Sequence, residues 1–188
     1  MSQPKENFFY FPQPNLQPLA FRMRPQKLED VVGQPHLTEE KGILNRIIKT
    51  GTLPSMIFWG PPGSGKTSTA LLITKQCGYQ MLSISAVASG VKDIKESVRI
   101  AEKNLADSKK TVFFIDEIHR FHKGQQSVLL PYVESGVVVL IGSTTENPSF
   151  EVIGPLLSRT QVIVFKKISN LELVKLLKTA IESEKGLN

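Results

Sequence analysis

The stretch Gly60-Pro61-Pro62-Gly63-Ser64-Gly65-Lys66-Thr67 decides how this chain is read. It has the form G-x-x-x-x-G-K-T, follows the apolar run Met56-Ile57-Phe58-Trp59, and precedes a helix-like segment, Ser68 to Gln76, closed by Gly78. Strand, glycine-rich loop and helix in that order are the context of a phosphate-binding loop. Glycines let backbone N–H groups converge on a phosphate, and the positive end of the following helix adds its field. Lys66 can reach the β- and γ-phosphates as a point charge, and the Thr67 hydroxyl can ligand Mg²⁺.

The strands around this loop follow from unbroken apolar runs. Leu53 to Trp59 is expected as the first core strand, Tyr79 to Ser85 as the second and Thr111 to Ile115 as the third. Val137 to Ile141 and Gln161 to Phe165 complete the set. All-apolar runs suit a parallel sheet covered on both faces. Helices are expected from near Thr38 to Gly51, from Lys92 to Ala106 with Ile94, Val98 and Leu105 inward, and from Gln125 to Glu134 despite Pro131. Ser169-Asn170-Leu171-Glu172 matches a capping box and starts a helix running to about Lys185. Alternating strands and helices give a three-layer α/β fold, a P-loop NTPase with a parallel sheet flanked by helices. Ligands on such sheets bind at the carboxyl ends of the strands. The phosphate loop, Asp116-Glu117 and Thr144-Thr145 all fall at such ends.

Those positions define a chemistry. Asp116 can hold Mg²⁺ through water on the Thr67 side, while Glu117 can orient and deprotonate an attacking water, which favours hydrolysis over binding alone. Thr145 can place a hydroxyl near the γ-phosphate, with Thr144 and Asn147 as competing candidates. Arg159, just before the last strand, can stabilise transition-state charge in a neighbouring subunit's site. His119 and His122 read as connector residues, His36 as local packing or capping, and Trp59 as core packing beside the loop.

The 188 residues carry a net charge of +6 and suffice for one α/β domain with part of a second. The basic balance is mild evidence for a nucleic-acid partner. The loop Ser85 to Lys92, with Lys95 beyond it, can touch a DNA backbone or merely cap a helix. No apolar run approaches the roughly 18 residues of a membrane span, and no secretory signal is visible. The single cysteine, Cys77, rules out an internal disulfide and reads as a small buried apolar residue. A cytoplasmic, nucleoid-associated location is expected. Residues 1–17, with Phe8-Phe9-Tyr10-Phe11 among prolines, are expected to form a flexible arm.

Taken together these motifs resemble the AAA+ ATPases. Gly60–Thr67 resembles Walker A, Val112-Phe113-Phe114-Ile115-Asp116-Glu117 resembles Walker B, Thr145 resembles sensor 1, and Ser158-Arg159 resembles the Ser-Arg finger of the clamp-loader clade. Arg22-Met23-Arg24-Pro25 with Val31-Val32-Gly33-Gln34 resembles that clade's adenine-side motif. Ser89-Gly90-Val91-Lys92-Asp93, Asp116-Glu117-Ile118-His119-Arg120-Phe121 and Thr144-Thr145-Glu146-Asn147-Pro148-Ser149-Phe150 resemble the RarA/MgsA family, relatives of the Werner-helicase-interacting protein. Phe21 departs from the acid more usual in that family.

The resemblance implies ATP and Mg²⁺ as cofactors, with Gly60, Pro61, Pro62, Gly63, Ser64, Gly65, Lys66, Thr67 and Ser68 around the phosphates and Val31 and Val32 on the adenine side. It implies a DNA-dependent ATPase of replication-fork maintenance and recombination, acting on single-stranded gaps, ends or forks. It further implies homo-oligomers with Arg159 acting in trans and contact with single-strand-binding protein. Residues 18–168 are expected to be the ATPase core and 169–188 the start of a truncated helical lid. The lid's sensor 2 arginine and an oligomerisation region are expected to lie outside the sequence, leaving the chain alone weakly active. Alternatives are a clamp-loader subunit or branch-migration motor of the same clade, a protein-remodelling unfoldase, and a small-metabolite kinase. The loop Ala86–Gly90 lacks the aromatic an unfoldase pore would want, and Glu117 with Ser158-Arg159 argues against the kinase.

Overall fold

The computed structural model describes residues 17–87, 89–183 and 186–187. The aromatic arm and the expected helix end at Lys185 lie outside the described residues. In chain order the elements are α1 (Leu19–Arg22), α2 (Pro35–Thr38), α3 (Ile43–Thr50), β1 (Met56–Trp59), α4 (Lys66–Gln76), β2 (Gln80–Ser85) and α5 (Val91–Ala106). These are followed by β3 (Thr111–Asp116), α6 (Lys123–Glu134), β4 (Val139–Thr144), α7 (Pro148–Glu151), α8 (Gly154–Leu157), β5 (Gln161–Val164) and α9 (Asn170–Glu182). Short 3₁₀ turns cover Leu28–Asp30 and Ile118–Arg120.

The five strands form one parallel sheet in the order β2-β3-β4-β1-β5. Side chains of a strand alternate between faces, and the core divides accordingly. Val112 and Phe114 of β3 join Phe58, Leu44, Ile47, Leu72 and Ile73 on one side. Phe113 and Ile115 join Ile57, Leu140, Ile94, Val98 and Leu129 on the other. Helices α3 and α4 therefore cover one face and α5 and α6 the opposite one, which makes three layers. Phe58, Phe113 and Phe114 are at most 1% exposed, each burial supplying about 1.5–3 kcal/mol.

Several boundaries differ from the sequence expectation. The helix expected from Thr38 begins at Ile43, with Gly42 as its N-cap. Thr38 instead closes α2, which Pro35 starts at its first position. Glu39 is consequently extended rather than in a first helical turn. Leu105, expected inward on α5, is 46% exposed, and Ala101 takes the inward place. Strand β4 runs to Thr144 rather than stopping at Ile141. Helix α6 does accommodate Pro131, and Ser169 caps α9 through Glu172 with a reciprocal pair of bonds.

The segment before α2 is tied to the far end of the core by one side chain. Gln34 is fully buried; its amide N–H₂ donates to the Lys166 carbonyl (2.7 Å) and the Ser64 carbonyl (3.3 Å). Its amide oxygen accepts from the Lys166 N–H (2.9 Å). Gln34→Leu keeps the volume and orphans these groups. Because a buried polar group left unsatisfied costs about 1–3 kcal/mol, urea denaturation is expected to show a stability loss of that order or more.

Candidate functional site

The phosphate loop starts where three strand ends meet. Gly60 N–H donates to the Thr144 carbonyl (3.2 Å), and Phe165 N–H donates to the Trp59 carbonyl (2.7 Å). The loop enters so close to β5 that a Cβ on Gly60 would stand 2.4 Å from the Phe165 carbonyl oxygen. Glycine is therefore required there. The loop then turns through Gly63 (φ 72°) and Gly65 (φ 93°), a left-handed backbone that L side chains rarely adopt. A Cβ on Gly63 would meet nothing within 4 Å, so this part of the loop faces open space.

Lys66 opens α4 and is only 7% exposed. Its ammonium donates to the carbonyls of Gly60 (2.7 Å) and Pro61 (2.9 Å). Burial pushes its pKa below the usual lysine range, against the opposing pull of the Glu117 and Asp116 charges. A buried cation held only by carbonyl dipoles at the N-terminus of an eleven-residue helix suits an incoming anion. Thr67 and Ser68 follow on the first turn of α4, both partly buried.

Strand β3 delivers the two acids. The Ser143 hydroxyl of β4 donates to Asp116 Oδ1 and accepts from the Glu117 N–H (3.3 Å). Glu117 adopts the left-handed conformation (φ 53°, ψ 53°). That backbone ends the strand abruptly. Glu117 Oε2 lies 3.1 Å from His119 Nδ1, and the same nitrogen lies 3.0 Å from Thr144 Oγ1. Thr145, partly buried, follows the end of β4.

The structure thus brings Gly60–Thr67, Asp116, Glu117 and the Thr144-Thr145 end of β4 to one edge of the sheet. Gln34, two residues after Val32, bonds the Ser64 carbonyl of the loop, and Val31 packs against the core layer of Leu44, Phe58 and Ile73. Val32 lines a cleft of about 380 Å³ between the N-terminal segment and α9, with Arg22, Met23, Lys175 and Leu176 among its walls. Arg159 stands apart: its guanidinium pairs with Glu134 at 2.5 Å and donates to the Pro155 carbonyl and the Ser158 hydroxyl, all on the exposed surface.

Three participants hold roles at the site that the sequence reading did not assign. Ser143 extends an apolar strand with a polar residue, the one signal that marked it. Gln34 belonged to a recognised motif without an assigned task. His119, expected to be a connector, joins β3 to β4, whereas His122 caps α6 by accepting from the Gln125 N–H. The oxygen donors Thr67 and Asp116 fit a small hard cation such as Mg²⁺, which binds through few carboxylates and keeps several waters.

Known proteins carry the same pattern. The family model described as "ATPase family associated with various cellular activities (AAA)" matches residues 56–168. Replication-associated recombination protein A of Haemophilus influenzae is 46% identical over 177 residues, covering 94% of this chain and 40% of that protein. The Coxiella burnetii protein of the same name is 50% identical over 167 residues, covering 89% and 38% respectively. The chain therefore spans about 40% of the length of these curated relatives. Among solved structures, the Thermotoga maritima RuvB Holliday junction branch migration motor superposes with a TM-score of 0.68 at 26% identity, covering 85% of this chain and 54% of that one. By its family model, its sheet and its loop, the chain belongs to the AAA family of ATPases.

Proposed function

We propose that this chain is the nucleotide-hydrolysing core of a DNA-dependent ATPase of replication and recombination. One observation carries the reading: the Lys66 loop and the Asp116-Glu117 pair meet across β4, at the carboxyl edge of a parallel sheet. In this reading residues 18–168 form the ATPase core and α9 opens a helical lid. The loop from Gly60 to Ser68 cradles the phosphates, and Val31 and Val32 border the base. Mg²⁺, held by Thr67 and through water by Asp116, would neutralise charge developing on the phosphates. Glu117 orients and deprotonates the attacking water, and Thr145 contacts the γ-phosphate side of the site.

Arg159 supports an oligomer with shared sites. Its pair with Glu134 is half-exposed (43% and 41%). An ion pair so open to water contributes about 0–1 kcal/mol, so the guanidinium is readily surrendered to a neighbour's phosphate. DNA as the partner rests on the names of the recombination-protein relatives, on the branch-migration motor and on the net charge of +6. Exposed Lys92, Lys95 and Arg99 line one ridge of α5 and offer contacts to a phosphate backbone. The likeness to a branch-migration motor favours junction remodelling as the second reading. Contact with single-strand-binding protein belongs to the proposal as well.

Lys66→Ala is expected to abolish nucleotide binding in calorimetry; undiminished binding would remove the phosphate-loop assignment. Glu117→Gln is expected to retain ATP while turnover drops about 10²- to 10⁴-fold, the usual contribution of a general base. In the intact protein, Arg159→Ala is expected to lower hydrolysis about 10³- to 10⁵-fold with ATP affinity retained; a loss confined to binding would contradict a role in trans. Single-stranded, forked or blunt DNA is expected to raise the ATPase rate. Replacing Lys92, Lys95 and Arg99 by alanine should weaken that stimulation and flatten its salt dependence, the slope falling by about 1 for each phosphate no longer neutralised. A rate indifferent to every DNA would argue for an unfoldase instead.

A further inference from the structure

One buried hydroxyl reaches both acids at the end of β3. Ser143 Oγ donates to Asp116 Oδ1 and accepts from the Glu117 N–H (3.3 Å). An amide N–H can only donate and an ionised carboxylate can only accept, so the single hydroxyl proton of Ser143 belongs to Asp116. Ser143 is fully buried, and bulk water does not compete for either bond.

The strands that carry these groups also fix the side of the sheet they occupy. Strand β4 lies between β3 and β1, and residue 143 stands in register with Phe58 of β1. Val112 and Phe114 of β3 and Ile141 of β4 share one core layer with Ala70, Leu72 and Ile73 of α4. Side chains two apart on a strand share a face, so Asp116 continues the row of Phe114 and Ser143 that of Ile141. Both stand on the α4 side of the sheet, the side on which Lys66 and Thr67 open that helix. Asp116 is exposed, and its second oxygen, Oδ2, takes no hydrogen bond among the described residues.

We infer that Ser143 is the positioning residue for the metal side of the site: its hydroxyl proton holds Asp116 Oδ1 and keeps Oδ2 for the water shell of Mg²⁺. The inference rests on the hydrolase reading above, in which Asp116 meets the cation through water. The hydrogen-bond partner of a metal-binding carboxylate is commonly worth about 10- to 100-fold in metal affinity. Because Asp116 itself acts through water, the lower end of that range, about 10-fold, applies to Ser143.

Ser143→Ala removes the donor at little change in volume, and Ser143→Cys keeps a weak one. In the intact protein, ATP binding is followed by calorimetry across a Mg²⁺ titration and again with the metal chelated. Ser143→Ala is expected to raise the Mg²⁺ concentration for half-maximal ATP binding about 10-fold, with affinity in chelator within about twofold of wild type. The Mg²⁺ requirement of turnover should rise in parallel, and Ser143→Cys should fall between the two. Once Asp116→Ala has removed the carboxylate, adding Ser143→Ala should move the Mg²⁺ requirement less than about twofold, since residues acting as a unit are not additive. An unchanged Mg²⁺ requirement in Ser143→Ala, or an equal shift with and without Asp116, would overturn the inference. So would a loss in chelator as large as the loss in Mg²⁺, which marks a structural role; Ser143→Cys carries the same comparison should the alanine variant not fold. Wild-type protein that binds and hydrolyses ATP without a divalent cation would remove the Mg²⁺ reading and this inference together. A Mg²⁺-dependent wild type matched by Ser143→Ala would remove this inference alone.

Discussion

Everything at this edge depends on the end of β4. That strand is hydrogen-bonded to β3 on one side and β1 on the other, and its last two residues reach both neighbours. The Thr144 carbonyl receives the Gly60 N–H, fixing where the phosphate loop leaves β1. Ser143 Oγ holds Asp116 and the Glu117 N–H, fixing where β3 ends. Parallel strands lie about 4.8 Å apart, so the loop and the acids are two strands, roughly 10 Å, from one another. A gap of that size suits a phosphate chain with a cation beside it. The sheet sets the spacing before any side chain chooses a rotamer.

Such an arrangement requires polar atoms in a dry place. Ser143, Thr144 and Gln34 are each fully buried, and each bonds to a segment distant in sequence. A buried polar network specifies a structure when its members are satisfied and destabilises it when they are not. Here the satisfied groups are the ones joining loop to strand and strand to N-terminal segment. The same bonds that stabilise the fold therefore hold the site in register.

This division explains what the sequence disclosed. The central strands β1, β3 and β4 were legible because their apolar runs are buried on both faces, and the three-layer order followed from them. The loop was legible because its glycines and lysine form a local pattern. Strand β4 was read three residues short because Gly142-Ser143-Thr144 carries no apolar signal, although it completes the central strand. The helix start at Thr38 looked sound as a cap, but Pro35 captures Thr38 in an earlier turn and Gly42 begins the next helix. His119 was missed for a different reason. Its partner Thr144 lies 25 residues away, and nothing local to the turn Ile118–Arg120 points across the sheet to it.

Glu117 shows how packing one strand away governs a carboxylate. A non-glycine residue in the left-handed region costs about 1–3 kcal/mol unless its surroundings over-determine it. They do so here from two sides. Ser143 Oγ accepts the Glu117 N–H, and Ile118 next in sequence is fully buried against Gly142. A Cβ at position 142 would stand 3.0 Å from Ile118 Cδ1 and 2.9 Å from Ile57 Cδ1, so the absent side chain is the space Ile118 occupies. Were Ile118 displaced, the turn that follows Glu117 would shift with it. The direction of the candidate base is thus decided in the hydrophobic layer beneath it.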